Sequence, residues 1–212
     1  MTSPEPLPGA PGRDAVTGAP GAISGPESSG PESSGTESSE HGDQRDVIRP
    51  ARPEDLPEIL AMVRELAEYE RSAHEVLATE EQLASLLFGT NTPSGVPAAY
   101  CHIALSPTDD GAPAGMALWF LNASTWTGRH GIYLEDLYVR PAFRGLGLGQ
   151  ALMAELARIC VDREYARLEW WVLDWNVSAQ GFYADLGARR MAEWEPWRLD
   201  GDALVRLGAG QS

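Results

Sequence analysis

Arg144-Gly145-Leu146-Gly147-Leu148-Gly149 lies between a run that alternates as a strand, Gly131 to Val139, and a run that reads as a helix ending near Arg163. Glycines permit positive φ and let a ligand approach the backbone closely. A helix starting here adds N–H groups without intrahelical partners and the positive end of its dipole. The segment from Arg144 through Gly145, Leu146, Gly147, Leu148, Gly149 and Gln150 therefore reads as a pyrophosphate cradle, with Arg144 as a further phosphate partner. It does not complete a dinucleotide-binding G-x-G-x-x-G, because Gln150 stands where the third glycine belongs. Nor does it end in the Gly-Lys-Ser/Thr of a phosphate-binding P-loop, since the chain has no Lys. A flexible glycine-rich turn is the plain alternative. By itself the loop points to a phosphate-bearing ligand and no further.

Outward from the loop, Val47-Ile48-Arg49-Pro50 reads as a short strand, and Pro53 opens an amphipathic helix to about Tyr69. Thr79-Glu80-Glu81-Gln82 is a capping box before a second helix. Tyr100 to Leu105 and Ala114 to Leu121 read as strands joined by a turn carrying Pro107, Asp109, Asp110 and Gly111. After the loop and its helix, Arg167 to Leu173 reads as a strand, and Asn176 or Ser178 caps a helix ending at Leu186-Gly187. Ala188 to Trp194 and Trp197 to Leu207 read as closing strands. The sum is one α/β domain over residues 47–212, a central mixed sheet with helices on both faces.

Residues 1–46 differ in kind. They hold hardly any large apolar side chains, and Gly25-Pro26-Glu27-Ser28-Ser29 recurs unchanged at 30–34 and again at 35–39 with Thr36 in place of Pro. A segment that buries so little cannot offset its ordering entropy, so a disordered tail is expected. The 212-residue chain carries a formal net charge of −15, and all 16 basic residues are Arg. That balance lacks the basic footprint of a nucleic-acid binder and favours cationic partners. No leader pattern and no membrane-length apolar run are present, so a cytoplasmic protein without membrane contact is expected. Cys101 and Cys160 sit in apolar patterns and read as buried thiols. His41, His74, His102 and His130 are scattered without metal spacing, and no metal is expected.

An Arg-x-x-Gly-x-Gly loop between strand and helix resembles the coenzyme A loop of the GNAT acetyltransferase superfamily. The resemblance runs along nearly all of the chain after the tail. Ile48-Arg49-Pro50-Ala51, Glu65-Leu66-Ala67-x-Tyr69-Glu70, Ser124-Thr125-Trp126-x-Gly128-Arg129, Tyr133-Leu134-Glu135-Asp136, Val172-Leu173-Asp174-Trp175-Asn176 and Phe182-Tyr183-x-x-Leu186-Gly187-Ala188 fall in order. The set looks like the diamine acetyltransferases, meaning the spermidine/spermine N-acetyltransferases and their thialysine-acetylating sister branch.

The resemblance implies direct acetyl transfer from acetyl-CoA, as co-substrate, to a primary amine of a small cationic molecule, within a ternary complex. Such an amine, with a pKa near ~10.4 like Lys, arrives protonated, so a base must take that proton and an acid must meet the departing thiolate. Glu135 is implied as base, directly or through water, and as a contact for the cation. Asp136 adds negative field. The two would face opposite sides of a regular strand, but the family's strand commonly bulges here, so faces are not assigned from alternation alone. Tyr183 is implied as acid; packing on the sheet is its other reading. Backbone groups of Leu137, Tyr138 and Val139 are implied to hold the thioester carbonyl and the pantetheine arm, and Asn176 to touch coenzyme besides capping its helix. Trp126, Asp174, Trp175, Glu195 and Trp197 are implied to wall the amine site, where rings offer cation–π contact and carboxylates offer charge.

Two departures stand out: Ala184 where relatives often carry Lys, and Glu195-Pro196-Trp197 where they often carry Glu-Gly-Trp. The family also implies a homodimer. Two other functions compete, acetylation of a protein or peptide amine and a non-catalytic acyl-CoA sensor. Retention of Glu135 and Tyr183 argues against the sensor.

Overall fold

The computed structural model describes residues 47–90 and 92–210. The expected disordered tail, 1–46, lies outside the described residues. Strands β1 (Ile48–Pro50), β2 (Tyr100–Leu105), β3 (Pro113–Ser124), β4 (Arg129–Val139) and β5 (Leu168–Glu169) form one sheet in chain order. The first four pair antiparallel, and β5 lies parallel to β4.

Alternation along β2 and β3 decides what each face receives. Ile103, Met116 and Leu118 point to helices α1 (Leu56–Tyr69) and α2 (Glu80–Phe88), where Ile59, Met62, Leu83 and Leu87 meet them. Ala104, Ala117 and Trp119 point the other way, onto Leu148, Leu152, Met153 and Leu156 of helix α3 (Leu148–Asp162). Fully buried side chains such as Met62 and Leu152 each contribute about 1.5–3 kcal/mol through burial. Helices on both faces of a mixed sheet match the architecture expected.

Local chemistry starts the helices where the sequence indicates. Buried Asp55 accepts hydrogen bonds from the Arg49 guanidinium at 2.6 and 2.8 Å and from the Arg52 N–H at 2.7 Å, fixing β1 to the entry of α1. Thr79 Oγ1 accepts from the Gln82 N–H, and Gln82 Oε1 accepts from the Thr79 N–H, closing the capping box of α2. Both cysteines are buried. Trp119 Nε1 donates to Nδ1 of buried His102 at 3.1 Å.

β4 carries the bulge that alternation alone could not place. Leu118 pairs with Asp136 but Trp119 pairs with Leu134, so Glu135 has no partner on β3. Leu134 faces α3, whereas Asp136, opposite Leu118, faces α1; Leu137 and Val139 then turn to α3 and Tyr138 to α1.

The carboxyl-terminal third departs from the reading of the sequence. The strand expected over Arg167 to Leu173 is reduced to Leu168–Glu169, paired with Ile132 and Tyr133. Pairing stops just before the bulge, where β4 bends away. The two closing strands do not form. Residues 188–200 have no regular structure, and helix α5 (Gly201–Gly208) follows. Its Leu204 and Leu207 are three residues apart, a helical interval that the apolar density of the segment had disguised as strand. Helix α4 (Val177–Asp185) forms as expected, its first turn capped by Asn176 Oδ1 accepting from the Ala179 N–H at 3.2 Å. No helix among the described residues is long and apolar enough to cross a membrane.

Candidate functional site

The loop after β4 is clamped at both ends. Arg140, the first residue past the strand, donates to Glu65 at 3.0–3.2 Å and to the Pro113 carbonyl at 2.9 Å, and pairs with Glu58 at 2.8 Å. After a 3-10 turn at Pro141–Phe143, Arg144 Nε donates back to the Val139 carbonyl at 3.0 Å. Its guanidinium lies over the rings of Tyr69 and Tyr138, 5.5 and 5.9 Å from their centroids.

Between Arg144 and α3, Gly145 has φ 79° and Gly147, the N-cap of α3, has φ 78°. No atom lies within 4 Å of where a Cβ on Gly145 would sit. The loop is thus uncrowded on that side, and the first-turn N–H groups of Leu148, Gly149 and Gln150 lack intrahelical acceptors by helix geometry. With Arg144 beside them, these residues fit a phosphate-bearing ligand such as coenzyme A. Gly149 faces α4, since a Cβ there would meet Phe182 Cζ at 3.6 Å.

The carboxylates gather at the middle of β4. Bulged Glu135 is exposed and Asp136 is partly buried against the α1 side. Burial, reinforced by the charges of Glu135 and Glu70, pushes the Asp136 carboxyl up to about 6. Burial also raises Glu70, which sits at the C-cap of α1. Tyr183 projects from α4 onto Trp170 at 4.7 Å and Phe182 at 5.2 Å. Its phenol is pushed up to about 12 by burial and then by the charge of Glu70. Tyr133, between Phe120 and Trp171, is also raised to about 12, by burial first and then by Glu135 and Glu169.

Of the residues singled out by sequence, Asp136 and Tyr183 both feel the charge of Glu70 at the end of α1, Glu135 stands next to Asp136 on its bulge, and the glycine loop follows the end of β4. Leu137 and Val139 pack on the α3 core, and Tyr138 on the α1 core. Asn176 joins the group through Tyr69, whose hydroxyl donates to its Oδ1 at 3.2 Å. Trp175 lies 5.9 Å from the Tyr69 ring and under the Arg71 guanidinium at 5.2 Å. The backbone carbonyls of Leu173 and Asp174 are held by the Gln180 amide at 3.0 and 2.9 Å. Trp126 and Trp197 are not brought in: they stand 89% and 88% exposed, and Glu195 is exposed as well. Trp126 rides the β3–β4 turn, and without closing strands nothing folds the 195–197 segment over the acids.

Two participants carried no role in the sequence reading, Tyr69 and Glu70. A signal was present for the second. An anion at the negative end of a helix opposes its dipole, so Glu70 at the C-cap of α1 stands against local preference.

Comparison with known proteins bears on this geometry. Residues 60–188 match the Acetyltransferase (GNAT) family. The chain is 39% identical over 169 residues to a thialysine N-epsilon-acetyltransferase of Sus scrofa, covering 76% of this chain and 96% of that protein. It is 32% identical to an L-ornithine N5-acetyltransferase of Arabidopsis thaliana, covering 76% and 86%. Among solved structures, an integron cassette protein from the mobile metagenome of V. cholerae superposes with a TM-score of 0.61 at 25% identity, covering 76% of this chain and 96% of that one.

Proposed function

The chain belongs to the GNAT acetyltransferase family, and from that premise we propose that it transfers acetyl directly from acetyl-CoA to the terminal amine of a small lysine-like or polyamine-like cation in a ternary complex. These two relatives are named for acetyl transfer to a small amine, while the amine and the order of events here are our reading. The observation that carries it is the cluster at the coenzyme loop: Glu135 displaced on a bulge, Asp136 and Glu70 raised by burial, and a protonated Tyr183 beside them. Thialysine and ornithine, named for two relatives, are both amino acids ending in a primary amine, and three neighbouring carboxylates suit such a cation.

Acetyl-CoA, when bound, supplies an acetyl group activated as a thioester. The N–H groups at the start of α3 and Arg144 hold its phosphates, and the main chain of Leu137 to Val139 lines its arm. Glu135 takes the ammonium proton that otherwise masks the nitrogen lone pair. A phenol near 12 keeps its proton at neutral pH, so the Tyr183 hydroxyl holds one for the departing sulfur. Asp136 and Glu70 concentrate negative charge where the cation docks. The same reading takes the enzyme as a homodimer. Its support is the apolar surface left by Trp171, Trp194, Leu204 and Leu207, all exposed. Light scattering on a sizing column tests it.

Thiol release from acetyl-CoA, measured across thialysine, lysine, ornithine, putrescine, spermidine, spermine and a control peptide, tests the activity. Release that depends on one of the small amines and collapses in Glu135→Gln and Tyr183→Phe is the expected result. Coenzyme binding with no release on any amine would instead favour a sensor, and release on the peptide alone would favour a protein substrate.

A further inference from the structure

Tyr69 ends α1, yet it belongs to neither core, and it touches the two segments that matter for transfer. Its ring face receives the Arg144 guanidinium of the coenzyme loop at 5.5 Å. Its hydroxyl donates to Asn176 Oδ1 at 3.2 Å, the same oxygen that accepts the Ala179 N–H and caps α4. α4 in turn carries Phe182, packed toward Gly149, and Tyr183. One side chain thus holds the phosphate-binding arginine at one end and the cap of the Tyr183 helix at the other.

We propose that Tyr69 is a positioning residue that couples the coenzyme loop to the helix bearing Tyr183. Its two halves do different work. The ring seats Arg144 over an aromatic face, where the guanidinium also bonds the Val139 carbonyl instead of wandering in solvent. The hydroxyl shares the Asn176 oxygen and sets the entry angle of α4. Removing the hydroxyl alone loosens α4 but leaves Arg144 seated, whereas removing the ring also takes from Arg144 one of its two aromatic faces, leaving Tyr138 and the Val139 carbonyl. A residue that merely filled space would affect the two ends together.

The inference rests on the acetyltransferase reading, and the experiment separates the two. Tyr69→Phe and Tyr69→Leu are compared with wild type by three readouts: coenzyme A titrated calorimetrically without amine, amide exchange over 177–183, and kcat with the best amine. Tyr69→Phe is expected to bind coenzyme A within twofold of wild type. It should exchange the Ala179 amide faster and lose kcat by about 2- to 10-fold, the worth of one hydrogen bond. Tyr69→Leu is expected to show the same losses and to weaken coenzyme A about 2- to 30-fold, the range of a cation–π contact. Should the phenylalanine variant fold poorly, Asn176→Ser, which keeps a short capping oxygen but cannot span to Tyr69, takes its place with the same expected exchange and kcat. Wild-type exchange and kcat in Tyr69→Phe, or equal loss of coenzyme affinity in both Tyr69 variants, would overturn the coupling. Binding and exchange behaving as expected, with no turnover in wild type, would instead strike the acetyltransferase reading and leave the coupling standing.

Discussion

The ring of Tyr183 lies 4.7 Å from that of Trp170, centroid to centroid, tilted by 43°. The contact joins the residue after β5 to the last turn of α4, and it uses only the ring of Tyr183, not its hydroxyl.

Tyr183→Phe separates those two parts. The phenyl ring keeps the packing on Trp170 and Phe182, so thermal melting is expected to stay within about 2 °C of wild type, a change of at most about 1 kcal/mol. The lost proton donor is expected to lower kcat by about 10²- to 10⁴-fold, the usual range for a positioned acid. A variant with full turnover would remove Tyr183 from the chemistry.

Glu135→Gln is expected to cost no stability at neutral pH, because the side chain is exposed, its backbone has no partner on β3, and its charge only opposes that of Asp136. Turnover is expected to fall about 10²-fold or more if it is the base. Urea denaturation and initial rates on the same preparation distinguish a chemical loss from a folding one.

Asp136 links the site to stability. Its carboxyl rises from an ordinary value of 3.8 to about 6 on folding, so between those values the native state binds more protons than the unfolded chain. Stability contributed by this group is therefore present at low pH and lost as pH climbs through about 6. The cost approaches but does not exceed roughly 3 kcal/mol at neutral pH. Asp136→Asn is expected to be more stable than wild type at pH 8, with the difference vanishing at about pH 4. Denaturation midpoints at the two pH values read it directly; an equal gap at both would refute the assignment.

Gly147→Ala tests the loop. At φ 78° an alanine is strained by roughly 1–2 kcal/mol, so a lower melting temperature is expected. Coenzyme A affinity is expected to fall as the cap of α3 distorts. A variant that melts lower yet binds coenzyme A normally would show that the phosphates do not use this turn.

Most of the fold was legible because its signals were local. The Thr79 capping box, the Asn176 cap, the strand limits at Tyr100 and Leu105, and the positive φ of Gly145 and Gly147 each follow from a few neighbouring residues. The carboxyl-terminal strands were misread because Trp194, Trp197 and Leu199 supply apolar density without any partner to pair with, and strand formation is settled by pairing. Beyond the glycine loop, which local chemistry marks by itself, the candidate site residues came through resemblance. Alternation put Glu135 and Asp136 on opposite faces of a regular strand. The faces actually taken depend on a register shift against Leu118 and Trp119, residues distant in sequence. Tyr69 and Glu70 were quoted as a motif, but the contacts of Tyr69 with Asn176 and Arg144, and the charge that Glu70 brings to Asp136 and Tyr183, span the chain.

The bulge has one further consequence, visible by striking a letter from the sequence. With Glu135 deleted, Leu134 would still lie opposite Trp119 and Asp136 opposite Leu118. The ladder between β3 and β4 would run without interruption, in frame on both sides of the excision, and no remaining side chain would change faces. The ladder is complete without Glu135, so the pairing of β3 with β4 gives no reason for this residue to be there.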